Sequence, residues 1–148
     1  MNMRYRNIAE SDFNDFRDMV FCLYREDPEG LPINDEKIRK TINESKAHPE
    51  KLNIVLICSG ERTIGYAILV FFWSNEYGGD VAVIDELYIK KEFRNKQIAT
   101  DFINYQMTNL QNAAALEVET TASNRSAMRL YKRLGFEVSE NNRLIYKL

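Results

Sequence analysis

Two adjacent carboxylates, Asp85 and Glu86, stand within an otherwise apolar stretch that predicts a buried strand over residues 81–89. Because side chains alternate across a strand, the two acids should face opposite sides of a sheet unless a bulge intervenes. A carboxylate half-buried among apolar side chains has a raised pKa, which suits a general base. The alternative is that one or both acids make structural hydrogen bonds or ion pairs.

Tyr131 is the second candidate for chemistry. The spacing of its apolar neighbours predicts a helix that begins at Asn124 and ends before Gly135. The inner face of that helix consists of Ala127, Leu130, Tyr131 and Leu134. A phenol has an ordinary pKa of about 10, so it is protonated at neutral pH and can donate a proton. The alternative is a core tyrosine anchored by one hydrogen bond.

Other residue types that carry chemistry are sparse. His48 is the only histidine and precedes Pro49 in a predicted loop, where a solvated side chain is expected. One histidine and two separated cysteines, Cys22 and Cys58, make no zinc set, so we predict no metal site. Without a framework of paired cysteines, the sequence favours a reducing compartment and a cytoplasmic location.

Length and charge narrow the class of protein further. A chain of 148 residues suits one domain over residues 1–148. A net charge of -2 argues against nucleic acid as the main partner. The longest apolar run, residues 64–73, is too short to span a bilayer, and the N-terminus lacks the apolar stretch of a signal peptide. We therefore predict a soluble protein with no nucleic-acid or membrane partner.

The elements that must position these residues follow from hydrophobic periodicity, which predicts the order βααβββαβαββ and an α/β domain with a mixed sheet. Ser11 is the predicted cap of the first helix, and a second helix starts near Asn34 or Asp35. Strands are predicted over residues 3–8, 54–58, 64–73, 81–89 and 116–120, later helices over 97–110 and 124–134, and a final hairpin over 136–139 and 144–148.

This element order resembles that of the GNAT superfamily of N-acetyltransferases, and two segments match its motifs. At the loop after residues 84–89, the family pattern is Arg or Gln, two residues, Gly, one residue, then Gly or Ala. Arg94 and Ala99 fit, whereas Gln97 stands where the family usually has glycine and Asn95 where it often has another. The second segment, residues 124–136, matches the family's Asn, Ala, Tyr and Gly-Phe at every spacing.

The resemblance implies a mixed, mostly antiparallel sheet flanked by helices, with residues 81–89 and 116–120 as two splayed parallel central strands. It implies an N-acetyltransferase that uses acetyl-CoA as co-substrate, with direct attack by a primary amine of a small molecule. Asp85 is then the first choice as base and Glu86 the second, and Tyr131 donates a proton to the departing thiolate. The alternative is an acyl-CoA-binding regulatory or catalytically inactive module. A homodimer is possible.

Cofactor contacts are also implied by the resemblance. The backbone of Leu87, Tyr88 and Ile89 would hold the pantetheine arm as an added strand would. Unpaired N–H groups at a helix start, aided by the helix dipole, would bind the pyrophosphate. The residues expected there are Arg94, Asn95, Lys96, Gln97, Ile98, Ala99 and Thr100, with Asn124 from the next helix. We expect a helical φ at Gln97, because Ile98, Phe102 and Ile103 continue a good helix. The alternative is a positive φ, which would strain glutamine and make the loop differ from the family's.

Acceptors in this family bind beside the first helices and the hairpin after the third strand. The residues available in those segments are Tyr24, Glu26, Asp27, Glu29, Leu31, Trp73 and Glu76. Acids mixed with aromatics suit a cationic amine. The alternative is a solvated acidic loop.

Overall fold

Five strands form one mixed sheet in the computed structural model, which describes residues 1–28 and 30–148. They lie in chain order across the sheet, and neighbours are antiparallel except for the last pair, which is parallel. The strands are β1 (Met3–Asn7), β2 (Leu52–Ser59), β3 (Arg62–Ser74), β4 (Gly79–Ile89) and β5 (Ala113–Val118). The predicted mixed, mostly antiparallel α/β architecture is confirmed.

Two pairs of helices cover the sheet. They are α1 (Phe13–Glu26), α2 (Asp35–Ala47), α3 (Ile98–Asn109) and α4 (Arg125–Arg133). Phe16 of α1 and Ile38 of α2 share one apolar core with Tyr66 of β3. Phe102 of α3 and Tyr131 of α4 belong to a second core on the other side of the sheet. None of the helices in the described part of the chain is long and apolar enough to cross a membrane.

Capping residues explain two of the helix starts. The side chain of Asn34 accepts the Lys37 N–H at 2.9 Å, and that of Asn124 accepts the Ala127 N–H at 3.1 Å, which confirms both predicted starts. The predicted cap at Ser11 is wrong. A short 3₁₀ turn precedes α1 there, and Asp12 stabilises it by accepting the Ala9 N–H at 2.8 Å.

The parallel pair β4 and β5 separates part of the way along. Register runs from Asp80 opposite Ala113 to Ile84 opposite Val118, and the Glu119 N–H still reaches the Ile84 carbonyl at 3.4 Å. Beyond Ile84, β4 pairs only with β3. The strands therefore splay and leave a gap beside the end of β4, as predicted.

The predicted C-terminal hairpin is wrong. No strand forms over residues 134–148, and the side chains of Leu144 and Tyr146 are 93% and 89% exposed. An ion pair between Arg143 and Glu119 ties this segment to the end of β5. An alternating apolar pattern predicts which face of a strand would be buried, but it does not show that another strand is available to pair with it. In the structure this segment has no such partner strand.

Candidate active site

A β-bulge interrupts the pairing of β3 with β4 at the two strand carboxylates. Ile68 of β3 lies opposite Glu86 and Leu69 opposite Ile84, so Asp85 is the extra residue. The bulge resets the alternation, so that Glu86 faces the α1 side although Ile84 belongs to the core on the α3 side. The exception named for the alternation therefore applies here, because a bulge intervenes at Asp85.

Glu86 is held by two tyrosines. The Tyr66 hydroxyl donates to its Oε1 at 2.7 Å, and the Tyr24 hydroxyl donates to its Oε2 at 2.8 Å. Burial raises the pKa of Glu86, and the negative charge of Asp85 raises it further, while the two tyrosine hydrogen bonds lower it. The net direction is upward, which keeps this carboxylate a candidate base.

Asp85 is exposed and has no hydrogen-bond partner among the described residues. Its pKa is nevertheless raised because neighbouring protein atoms displace part of its hydration, and the charge of Arg143 opposes this. Asp85 also raises the pKa of Tyr24, which shows that the two groups are close enough to interact. Solvent can reach Asp85 directly, whereas Glu86 lies behind it.

Tyr131 is buried on the other side of the sheet, in the inner face of α4. Its ring packs edge-on against Phe136, with centroids 5.8 Å apart. Burial raises its pKa, so the phenol is protonated at neutral pH. Its hydroxyl has no hydrogen-bond partner in the described part of the chain, which argues against a core tyrosine anchored by one hydrogen bond.

The splayed gap exposes part of the backbone of β4. Lys90 donates its N–H to the Ile64 carbonyl of β3 at 2.8 Å. Since alternate residues of an antiparallel strand direct their backbone groups to opposite edges, those of Tyr88 face β3, and those of Leu87 and Ile89 face the gap. The Ile89 carbonyl accepts the Arg94 Nε–H at 2.8 Å. Leu87 and the N–H of Ile89 therefore offer free backbone groups to the gap, and Tyr88 does not.

A run of free N–H groups follows at the start of α3. Asp101 is the first residue of this helix whose N–H bonds an earlier carbonyl, that of Gln97 at 2.9 Å. Among the described residues, no carbonyl or side chain accepts the N–H groups of residues 95–100. Such a run at a helix start fits a pyrophosphate. The fit covers the predicted positions Asn95, Lys96, Gln97, Ile98, Ala99 and Thr100.

The loop achieves this with two left-handed residues. Asn95 has φ 60° and Gln97 has φ 62°, the conformation for which glycine is favoured. The expected helical φ at Gln97 is therefore wrong. The loop needs this turn to reverse from β4 into α3, and asparagine tolerates it better than glutamine does.

Arg94 is already paired. Its guanidinium donates to both carboxylate oxygens of Glu26 at 3.0 and 2.8 Å and lies 5.4 Å from the ring centre of Tyr88. Lys91 lies 3.9 Å from the same glutamate. A phosphate that binds Arg94 must therefore share it with Glu26 or displace that carboxylate.

The end of α1 touches both sides of the gap. Glu26 reaches Arg94 after β4, and the Thr121 hydroxyl, after β5, donates to the Asp27 carboxylate at 3.2 Å. Of the predicted acceptor residues, Tyr24, Glu26 and Asp27 are thus brought to the site.

The other predicted acceptor residues lie elsewhere. Leu31 is exposed, and Trp73 pairs with Asp80 at the hairpin end of β4, away from the bulge. Glu76 lies in that hairpin turn. Glu29 lies outside the described residues.

Tyr66 and Thr121 were not predicted as site residues. Tyr66 sits in a continuous apolar run, which gives no signal beyond core packing.

A hollow of about 460 Å³ lies along α1 and contains none of the candidate residues. It is lined by Arg17, Asp18, Phe21, Cys22 and Arg25. The site is instead an open gap between strands.

Comparison with known proteins identifies the family of this chain. The family model described as the acetyltransferase (GNAT) family matches residues 13–136, so the chain belongs to the GNAT family. An uncharacterized N-acetyltransferase of Methanocaldococcus jannaschii is 27% identical over 138 residues, which cover 91% of this chain and 61% of that relative. The chain thus spans less than two thirds of that protein.

Solved structures share the fold. A possible acetyltransferase from Clostridium difficile 630 has a TM-score of 0.84 at 18% identity, and covers 100% of this chain and 99% of its own. AAC(6')-Iy, solved in complex with the bisubstrate analog CoA-S-monomethyl-acetylneamine, has a TM-score of 0.77 at 17% identity, with coverage of 100% and 99%. At these identities the likeness shows the fold alone.

Proposed function

We propose that this protein is an N-acetyltransferase that moves an acetyl group from acetyl-CoA to a primary amine of a small molecule. The observation that carries the proposal is the run of free N–H groups of residues 95–100 at the end of the splayed gap. An anion at the helix start and an extended arm along Leu87 would both be bound by backbone groups. The side chain of Asn124 already caps α4, and a contact with the cofactor is compatible with that role.

Two kinds of proton transfer complete the chemistry. When bound, acetyl-CoA supplies a thioester carbonyl and a thiolate leaving group. The carboxylate pair at the bulge takes the proton from the acceptor ammonium, with Asp85 as first choice because it is accessible and Glu86 as second. The neutral amine would then form the carbon–nitrogen bond as the carbon–sulfur bond breaks, and Tyr131 would donate its proton to the departing sulfur. The second proton, lost by the nitrogen as the amide forms, would pass through solvent to restore the tyrosine. No acyl-enzyme is needed.

The acceptor class follows from charge. Glu26 and Asp27 at the end of α1 and the carboxylate pair on β4 make this side of the gap acidic. An ammonium is attracted to such a surface, and this favours a cationic amine. The thiols of Cys22 and Cys58 are unpaired, and together with the predicted reducing compartment this supports a cytoplasmic location. The homodimer stays a prediction.

A second candidate is a binding or regulatory module without turnover. The contact of Glu26 with Arg94 favours it, because a carboxylate occupies a cation expected near the phosphates. The two candidates separate in one pair of measurements. The enzyme binds acetyl-CoA and releases free thiol with a suitable amine, whereas the regulatory module binds and releases none.

Calorimetric titration with acetyl-CoA tests binding first, with the Tm as a second readout because a ligand of the folded state raises it. Glu26→Gln should tighten binding by up to about fivefold, since exposed ion pairs are worth up to about 1 kcal/mol. Glu10→Gln is the control, because Glu10 pairs with Lys46 outside the site. Absence of both heat and a Tm shift at millimolar acetyl-CoA would exclude the proposal. A panel of amines followed by thiol release then identifies the acceptor.

A further inference from the structure

Glu86 has one hydroxyl donor on each oxygen, and the donors come from different layers of the fold. Tyr66 lies at the centre of β3 with no exposed surface. Tyr24 lies in the last turn of α1 and is half-buried. The two O–H···O distances, 2.7 and 2.8 Å, are those of well-formed hydrogen bonds. A partly buried carboxylate held in this way has a defined orientation, because rotation would break both bonds.

We propose that Tyr24 is a positioning residue that holds Glu86 ionised and oriented beside Asp85, and so keeps the carboxylate pair ready to receive the acceptor's proton. The inference rests on the proposed function for its role in catalysis. It concerns Tyr24 rather than Tyr66, because only Tyr24 belongs to the helix end that also reaches Arg94 and Thr121 through Glu26 and Asp27.

Burial and the two phenol donors act on the Glu86 carboxylate in opposite directions. Three ionisable groups act on Glu86 in the described structure: Tyr24 from α1, Tyr66 from β3 and Asp85 from β4 itself. Burial and the charge of Asp85 favour the protonated acid, and the two phenol donors favour the anion. Both phenols have raised pKa values, so they stay protonated and remain donors. Loss of either hydroxyl removes a donor from the anion without relieving the burial.

The sign of the effect follows. Tyr24→Phe should raise the pKa of Glu86, so that a higher pH is needed to ionise it. If catalysis requires the ionised pair, the acidic limb of the kcat/KM profile moves to higher pH, and activity recovers above it. A merely structural role would lower activity by a similar factor at every pH. The expected displacement is about one pKa unit, the size of a hydrogen bond to a charged group.

The experiment compares Tyr24→Phe with Tyr105→Phe, which removes a partly exposed phenol from α3 on the opposite face of the sheet. The carboxyl signal of Glu86 is followed by ¹³C NMR against pH in the complete chain and assigned by its loss in Glu86→Gln. We expect the titration to move upward in Tyr24→Phe and to stay unchanged in Tyr105→Phe. Tyr66→Phe is the second variant, with the same expected direction.

Two results would overturn the inference. One is an unchanged Glu86 titration in Tyr24→Phe, whatever Tyr66→Phe shows. The other is an activity loss in Tyr24→Phe that high pH does not reverse. The NMR titration needs no substrate. If the wild-type protein releases no thiol with any amine, the proposed function fails, while the control of Glu86 by Tyr24 is still decided by the titration.

Discussion

The phenol of Tyr131 differs from that of Tyr66 in its hydrogen bonding. Tyr66 donates to Glu86, but within the described chain nothing accepts from Tyr131. No fully buried side-chain polar atom of the described residues lacks a partner, so the Tyr131 hydroxyl keeps contact with solvent. Its removal should therefore change stability little.

Tyr131→Phe should therefore separate catalysis from stability. Loss of a general acid lowers kcat by roughly 10²- to 10⁴-fold, while the free energy of unfolding stays nearly unchanged because no hydrogen bond is lost. Thiol-release kinetics and urea unfolding measure the two quantities. Because the pKa of Tyr131 is raised, the wild-type alkaline limb should lie above the ordinary value of 10.0. Near-normal turnover of the variant would make Tyr131 a core residue only.

The two strand carboxylates predict contrasting variants. Asp85→Asn removes an exposed acid and should lower activity with little effect on stability. Glu86→Gln should lower activity less but cost roughly 1–3 kcal/mol of unfolding free energy, since the amide nitrogen cannot accept from a tyrosine hydroxyl. The pKa values of Asp85 and Glu86 are raised above their ordinary values of 3.8 and 4.5. The acidic limb of the wild-type pH–rate profile should therefore lie above those values, with activity falling as the pH decreases through it. Greater activity loss in Glu86→Gln would reverse the assignment of the base.

At the scale of elements, the loop between β4 and α3 turns through two left-handed residues. A non-glycine residue in this conformation costs roughly 1–2 kcal/mol, less for asparagine. The loop retains that strain at Gln97, and its N–H groups remain unpaired. Strain combined with free donors is typical of a ligand-binding turn.

Gln97→Gly should raise the free energy of unfolding by about 0.5 kcal/mol or more, because relief of the strain exceeds the added entropy of the unfolded chain. Lys96→Gly is the matched control and should destabilise, since Lys96 is not among the residues with positive φ. Urea unfolding compares them. Affinity for acetyl-CoA should change by about fivefold or less in Gln97→Gly, because the N–H group is retained. Equal destabilisation by both changes would show that the backbone at position 97 is not left-handed in solution.

At the scale of the whole molecule, the sheet holds the site between two apolar cores. The α1 and α2 side supplies Tyr24, and the α3 and α4 side supplies Tyr131. The gap lies between the ends of β4 and β5. Its geometry depends on how closely β3 supports the end of β4. At Gly65 this support is tight, because a Cβ there would lie 2.4 Å from the Tyr88 carbonyl oxygen.

Gly65→Ala should therefore push β3 and β4 apart. Overpacking against backbone costs roughly 1–3 kcal/mol, and the displacement of residues 87–89 should also weaken acetyl-CoA binding. Ser59→Ala, at the end of β2, is the control with neither effect expected. Thermal unfolding and calorimetry provide the measurements. Wild-type stability in Gly65→Ala would show that the strands can relax without loss.

Up to residue 134, the sequence by itself determined the types and order of the helices and strands, and it contained the two motif segments. Hydrophobic periodicity is a local property, and so is a cap such as Asn124 on Ala127, three residues away. It also identified the two carboxylates and the tyrosine, since acids in an apolar strand and a phenol on an inner helix face are visible in the chain itself.

The tertiary structure alone decided which groups these residues meet. Tyr24 and Glu86 are 62 residues apart in sequence, and Glu26 and Arg94 are 68 apart. The bulge at Asp85 put Ile84 and Glu86 on opposite sides of the sheet, and the C-terminal apolar segment found no strand partner. Local pattern fixes which face of an element is apolar, but partners, register and left-handed turns depend on contacts between distant segments, which a local pattern does not encode.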